Sequence, residues 1–243
     1  MKLEICASSC QSAINAQEAG AHRIELCSEL AVGGLTPSYG LIKQVVEKLS
    51  IPVFILVRPR SGNFTYSNSE FDIMKHNIQL CKDLGCAGIV SGVLNEDNTI
   101  DFKRTQELIK CSKPLPFTFH RAFDWTPNPT KALKELIDLG VQRILTSGQE
   151  SSAEKGLELL QQLKEKANNK ITILPGGGIN SKNAHLFKND GFLEIHASAS
   201  TITQINKTPK VSMNSEKFFN ETIEVCSDIT KIKSILKSIN NEA

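Results

Sequence analysis

The chain has 243 residues, 28 basic against 26 acidic side chains for a net charge of +2, and a hydrophobic content of 40%. That length suits one α/β barrel, and the small net charge gives no electrostatic reason to expect nucleic acid or a membrane surface as partner. No apolar run reaches the roughly 18 residues a membrane helix needs, the start MKLEICASS lacks the apolar stretch of a secretory signal, and seven cysteines without a CxxC pair point to reduced thiols in the cytoplasm rather than a disulfide framework.

Short β-rich runs begin near Leu3, Arg23, Pro52, Ala87, Leu115, Val141, Lys170 and Phe192, each followed by a helical pattern. Eight such βα units predict a single-domain TIM (β/α)8 barrel over residues 1–243, with the barrel core in 1–200 and a loop and closing helix in 201–243. An open doubly wound sheet is the alternative, and it lacks a Gly-rich fingerprint after the first strand. Thr36-Pro37 and Asn128-Pro129 each place a capping side chain before a proline suited to the first helical turn. Gly20 and Gly140 sit where helices should end, and Asn180 is placed to cap the helix after GGGI. Residues 203–213 read as an extended loop and 214–240 as the final helix.

Strand side chains alternate faces. In LEICAS, the apolar set Leu3, Ile5 and Ala7 opposes Glu4, Cys6 and Ser8. In RIELCS, Ile24 and Leu26 oppose Glu25 and Cys27. In FLEIHAS, Leu193, Ile195 and Ala197 oppose Glu194, His196 and Ser198. The apolar sets must meet the outer helices, so strands 8, 1 and 2 turn their polar sets into the barrel. Buried carboxylates need partners. The candidates are Arg58 and Arg60 of VRPR, ending strand 3, and His120 and Arg121 of FHRAFD, ending strand 5. Such residues lie at the C-terminal face, where active sites of this fold are built. An ion-pair network that plugs the barrel would use the same residues.

Glu4 and Glu25 are candidate general bases, His120 and His196 candidate proton carriers, and Asp124 a further acid. Arg58, Arg60 and Arg121 can hold an anion. So can the small residues of LPGGGI (Gly176, Gly177, Gly178) and of HASAS (Ser198), in the loops after strands 7 and 8 that often bind phosphate. Thr146 and Ser147 of LTSG offer hydroxyl donors. Cys6 and Cys27 share inward parity on adjacent strands, and two soft thiolates suit Cu(I), although cysteine is also a common small core residue. His22 precedes strand 2 on the far face, and His76 and His185 fall on outer helices. No lysine stands at a strand's C-terminal end and no HExxH occurs, which argues against Schiff-base and zinc-hydrolase chemistry.

Taken together, LEIC, RIELC, GGLTPS, RPR, FHRAFD, LTSGQ and LEIHASA resemble the CutC copper homeostasis family over about residues 2 to 200. The resemblance implies a cytoplasmic TIM barrel with a role in copper homeostasis, and a homodimer. It puts Cys6 and Cys27 at the positions discussed as copper ligands. Glu4, Glu25, Arg58, His120, Arg121, Asp124 and His196 match the family's strand-end site. PGGG stands where relatives often show Gly-Ala-Gly. Three functions stay open: Cu(I) binding through Cys6 and Cys27; a lyase, isomerase or hydrolase acting on a small anionic or phosphorylated metabolite; and a non-catalytic sensor of such a metabolite.

Overall fold

A computed structural model describes residues 1–205, 210, 211, 213 and 221–240. Eight parallel strands alternate with helices around one axis: β1 (Lys2–Ala7), β2 (Arg23–Leu26), β3 (Val53–Leu56), β4 (Gly88–Ser91), β5 (Phe117–Phe119), β6 (Arg143–Thr146), β7 (Thr172–Pro175) and β8 (Glu194–Ala197). Each pairs with its sequence neighbours, β1 also pairs with β8, and a parallel bridge between Gly176 and His196 closes the ring. The predicted TIM barrel is thus the observed fold, and every strand starts within two residues of its expected place.

The outer layer comprises α1 (Cys10–Glu18), α2 (Tyr39–Lys48), α3 (Asn68–Asp83), α4 (Phe102–Ser112), α5 (Pro129–Asp138), α6 (Leu157–Ala167) and α7 (Ala184–Asn189). The apolar strand sets meet these helices as expected: Leu3, Ile5, Ile24, Leu26 and Ile195 are fully buried in the main core. Asn128 accepts a hydrogen bond from Lys131 N–H, and Pro129 opens α5. Gly20 and Gly140 take positive φ just past their helices.

Two predicted caps are corrected. Thr36 does not cap α2. Its hydroxyl accepts from Arg58 N–H (2.8 Å) and donates to Arg58 C=O (3.0 Å), tying the loop after β2 to the end of β3. The helix starts at Tyr39, with Ser38 accepting from Leu41 N–H. Asn180 accepts from Lys182 N–H in a local turn, and α7 begins only at Ala184.

The tail also differs from expectation. β9 (Ser200–Gln204) and β10 (Ile223–Ser227) form an antiparallel hairpin, so residues 203–204 are paired strand and 223–227 are not helix. The alternating β-branched residues of STITQ and IEVCS favour a strand. The hairpin packs on α1, where Ser12 Oγ donates to Cys226 Sγ (3.4 Å) and Asn15 Nδ2 to Ser227 C=O (2.9 Å). α8 (Ile229–Asn240) follows, burying Ile232, Ile235 and Ile239 at helical spacing against α1 and α7. The remainder of the expected 203–213 loop and 214–240 helix lies at residues 206–209, 212 and 214–220, outside the described residues. No helix among the described residues is long and apolar enough to cross a membrane.

Candidate functional site in the barrel

Register builds the interior. Glu4 stands opposite Arg23 on β2 and His196 on β8, while Cys6 stands opposite Glu25. Their side chains face inward and meet. Glu4 accepts from Arg23 Nε and lies 2.7 Å from His196 Nδ1. Glu194 accepts from Arg23 Nη2 (2.6 Å) and Arg143 Nε (2.9 Å). Arg23 and Arg143 also lie against the ring of Phe54, at 4.9 and 5.5 Å. The expected partners of the buried carboxylates are therefore corrected. Arg23 pairs with Glu4 and Glu194 and Arg143 with Glu194, whereas Arg58, Arg60 and Arg121 pair with none of these carboxylates. Arg23 shares the parity of Glu25 and Cys27, a signal that could have found it.

The charges follow from these contacts. Burial raises the Glu4 carboxyl, but the hydrogen bond with His196 and the charge of Arg23 outweigh it and hold the group at about 2. Burial pushes Glu25 up to about 7, helped by the neighbouring Glu4 charge, and its Oε2 has no hydrogen-bond partner. For His196, burial works against the cation, yet Glu25 and Glu4 together raise its pKa. Burial and the charge of Arg58 push His120 down to about 3, so it is neutral and not the near-neutral proton carrier expected from sequence.

Above this layer, at the C-terminal ends of the strands, lies a cavity of about 400 Å³. Cys6, Glu25 and His196 line its floor; Arg58, His120, Arg121, Asp124, Gly177, Gly178 and Ser198 line its sides. Phe64 and Trp125 pack edge to face at its rim (5.0 Å). Gly177 has φ +109°, and a Cβ there would stand 3.6 Å from the Arg121 guanidinium carbon, so the loop after β7 brings bare backbone up to that side chain.

Several predicted binders are placed differently. Arg60 points away from the cavity and donates to Glu70 Oε1 (2.6 Å) and to the carbonyls of Ser61, Asn63 and Thr65. Thr146 and Ser147 are fully buried, and both hydroxyls donate to Asp124. Asp124 also accepts from the main-chain N–H of Ser147 and Gln149 and from Arg121 Nε (2.7 Å). Thr146 and Ser147 thus brace Asp124 and the loop after β5, and neither is among the residues that line the cavity. Gly176 packs under the cavity against Leu145 and His196.

The two cysteine thiols meet. Cys6 Sγ lies 3.5 Å from Cys27 Sγ and 4.0 Å from Glu25 Oε1. Ligand atoms of Cys6, Glu25 and His196 also lie within 4.8 Å of one another, which sequence reasoning had not grouped as a metal set. The contact with Cys27, then burial, raises the Cys6 thiol well above its ordinary range, so binding of a metal there would release a proton. Two soft sulfurs in contact, one of them grouped with an imidazole, are donor types that suit Cu(I).

The CutC family model matches residues 1–201. A CutC family protein of Photorhabdus laumondii is 46% identical over 230 residues, covering 93% of this chain and 92% of that protein. The copper homeostasis protein cutC homolog of Mus musculus is 42% identical, covering 96% and 87%. The crystal structure of CutC from Streptococcus agalactiae superposes with a TM-score of 0.77 at 34% identity, over 82% of this chain and 98% of that one.

Proposed function

Starting from a chain that belongs to the CutC family, we propose that this protein serves copper homeostasis by binding Cu(I) through Cys6 and Cys27, with His196 and Glu25 in reach. The observation that carries this reading is the 3.5 Å approach of two buried thiols, one of which lines an open cavity. Thiolates prefer soft monovalent copper, and the His196 imidazole grouped with Cys6 is a compatible further donor. All seven cysteines are free, which favours a reducing compartment and hence a cytoplasmic protein. An anaerobic Cu(I) competition titration tests it. Wild type and His120→Ala should bind one Cu(I) tightly, and Cys6→Ser/Cys27→Ser should lose it. Binding unchanged by removal of both thiols would overturn the assignment.

A second reading, an enzyme acting on a small anionic metabolite, is favoured by Glu25. This carboxyl lines the same cavity, titrates at about 7 and leaves Oε2 unpartnered, as a group that moves a proton requires. A melting-temperature screen of phosphorylated and carboxylated metabolites addresses it. A metabolite that stabilises the copper-free protein and is turned over by wild type but not by Glu25→Gln would establish catalysis; stabilisation without turnover would make the protein a sensor.

A further inference from the structure

Arg58 is a buried cation without a counter-ion. It is 5% exposed, and its three hydrogen bonds run to main-chain carbonyls: Nη1 to Val32 (2.8 Å) and Gly34 (3.0 Å), and Nη2 to Gly62 (2.8 Å). Nε has no partner, and no carboxylate among the described residues pairs with the side chain. A buried charge left unpaired is strongly unfavourable, so its persistence calls for an anion that arrives from elsewhere.

His120 supplies a second, independent sign. It is also 5% exposed, and its Nδ1 accepts the N–H of Ala122 at 3.2 Å. A neutral imidazole whose Nδ1 accepts must carry its proton on Nε2. That Nε2–H is buried and has no acceptor. The ring is closely packed on two sides. Phe64 packs on it at 4.9 Å, and a Cβ at Gly92 would stand 2.7 Å from Nδ1, so only glycine leaves room for the ring in this position. Arg58 lies over the same Phe64 ring at 4.9 Å, and all three residues line the one cavity. Across that cavity Arg121 spends Nε on Asp124 and Nη2 on Ser147, which leaves Nη1 uncommitted.

We propose that Arg58 and His120 form a subsite for a small oxyanion, in which a small shift of the cavity wall opens His120 Nε2–H to one ligand oxygen and the negative charge of the carboxylate or phosphate group compensates the Arg58 guanidinium. This inference rests on the anion-binding reading above and is independent of the copper reading, since it uses neither thiol. Its ligand class is a small carboxylate or phosphate ester, because a neutral or cationic molecule would leave Arg58 unpaired.

The test uses the copper-free full chain labelled with 15N-histidine, titrated at constant ionic strength with inorganic phosphate and, separately, with pyruvate. In the free protein His120 should show a protonated Nε2 and an unprotonated Nδ1. Either anion should move the Nε2–H resonance saturably, and the melting temperature should rise with anion concentration as the midpoint of that shift dictates. His120→Phe, which keeps an aromatic ring beside Phe64, should weaken that midpoint about tenfold, the worth of one hydrogen bond to a charged group. A protonated Nδ1, or a His120 resonance unmoved by both anions, overturns the subsite, and these readouts on wild type stand even where the variant fails to fold. Stabilisation by phosphate that is unchanged in His120→Phe would put the anion at Arg121 and keep only the broader reading. Absence of stabilisation by either anion would overturn both.

Discussion

Arg23 and Arg58 are equally buried, at 5% exposure, and both reach the interior of the same barrel. Their surroundings are opposite. Arg23 is gripped by Glu4 and Glu194, which also hold His196 and Arg143, so that each charge of the floor meets its complement. Arg58, at the mouth, hydrogen-bonds carbonyl oxygens and lies over the Phe64 ring, and no carboxylate among the described residues pairs with it. The polar interior is therefore two devices. The lower is a network of paired charges, in which Arg143 Nη1 alone of the buried arginine nitrogens has no hydrogen-bond partner among the described residues. The upper is left incomplete on one side, and a cavity occupies that side. An arginine in a barrel says little by itself; the identity of its acceptors separates a structural plug from a binding surface.

The largest effect should come from breaking the floor. Arg23→Met strands Glu4 and Glu194 as buried carboxylates with their main partner removed. Loss of one member of a buried ion pair costs about 3–5 kcal/mol, and urea unfolding should register that loss. A cost below about 1 kcal/mol would mean that the floor is hydrated and would erase its distinction from the mouth.

Glu25, between the two layers, should give an intermediate effect with a definite sign. Its carboxyl titrates near 7 in the fold, mainly through burial, against an ordinary 4.5. Between those values the unfolded chain ionises while the folded one holds its proton, so stability falls as pH rises through the window. Glu4 acts in the opposite sense and lower down. Held at about 2, it contributes fully above 4.5 and loses its contribution as pH falls through 2. Glu25→Gln should remove the first slope and also lower the pKa of His196, which the Glu25 charge helps to raise. The variant's stability relative to wild type should climb by about 2 kcal/mol from pH 4.5 to pH 6.5. Parallel curves for the two proteins would show that Glu25 ionises normally and faces water.

Much of this arrangement could be read from the chain. The parity of Glu4, Cys6, Glu25, Cys27 and His196 placed their side chains inside, because a strand's faces alternate whatever the tertiary context. The approach of the two thiols followed from that parity and from strand adjacency. Arg23 was passed over because it opens its strand, where a charged residue ordinarily marks a boundary, although it lies two residues before Glu25. Arg143 opens β6 in the same way. The hairpin of β9 and β10 was hidden because the spacing of Ile232, Ile235 and Ile239 was extended backward through IEVCS, whose own alternation is that of a strand. The open character of the mouth could not be read at all. It depends on a side-chain-to-backbone bond, Ala122 N–H to His120 Nδ1, and on which carbonyls Arg58 reaches, and neither has a sequence period.

The smallest effect is the most discriminating. Arg58→Met should cost about 1 kcal/mol or less, although the residue is as buried as Arg23 and loses three hydrogen bonds. Two of its acceptors belong to the half-exposed Val32 and the exposed Gly62, whose carbonyls can turn to water. Removal of an uncompensated buried cation recovers desolvation energy that offsets the remaining loss. The penalty should reappear only when an anion is present. Phosphate at 100 times its dissociation constant stabilises a protein by about 2.7 kcal/mol, and wild type should gain that increment while Arg58→Met should not. A variant as unstable as Arg23→Met without phosphate would make Arg58 a structural tie between the loops after β2 and β3. A variant that is stable alone and blind to phosphate would make Arg58 the residue whose charge the fold leaves for a ligand to complete.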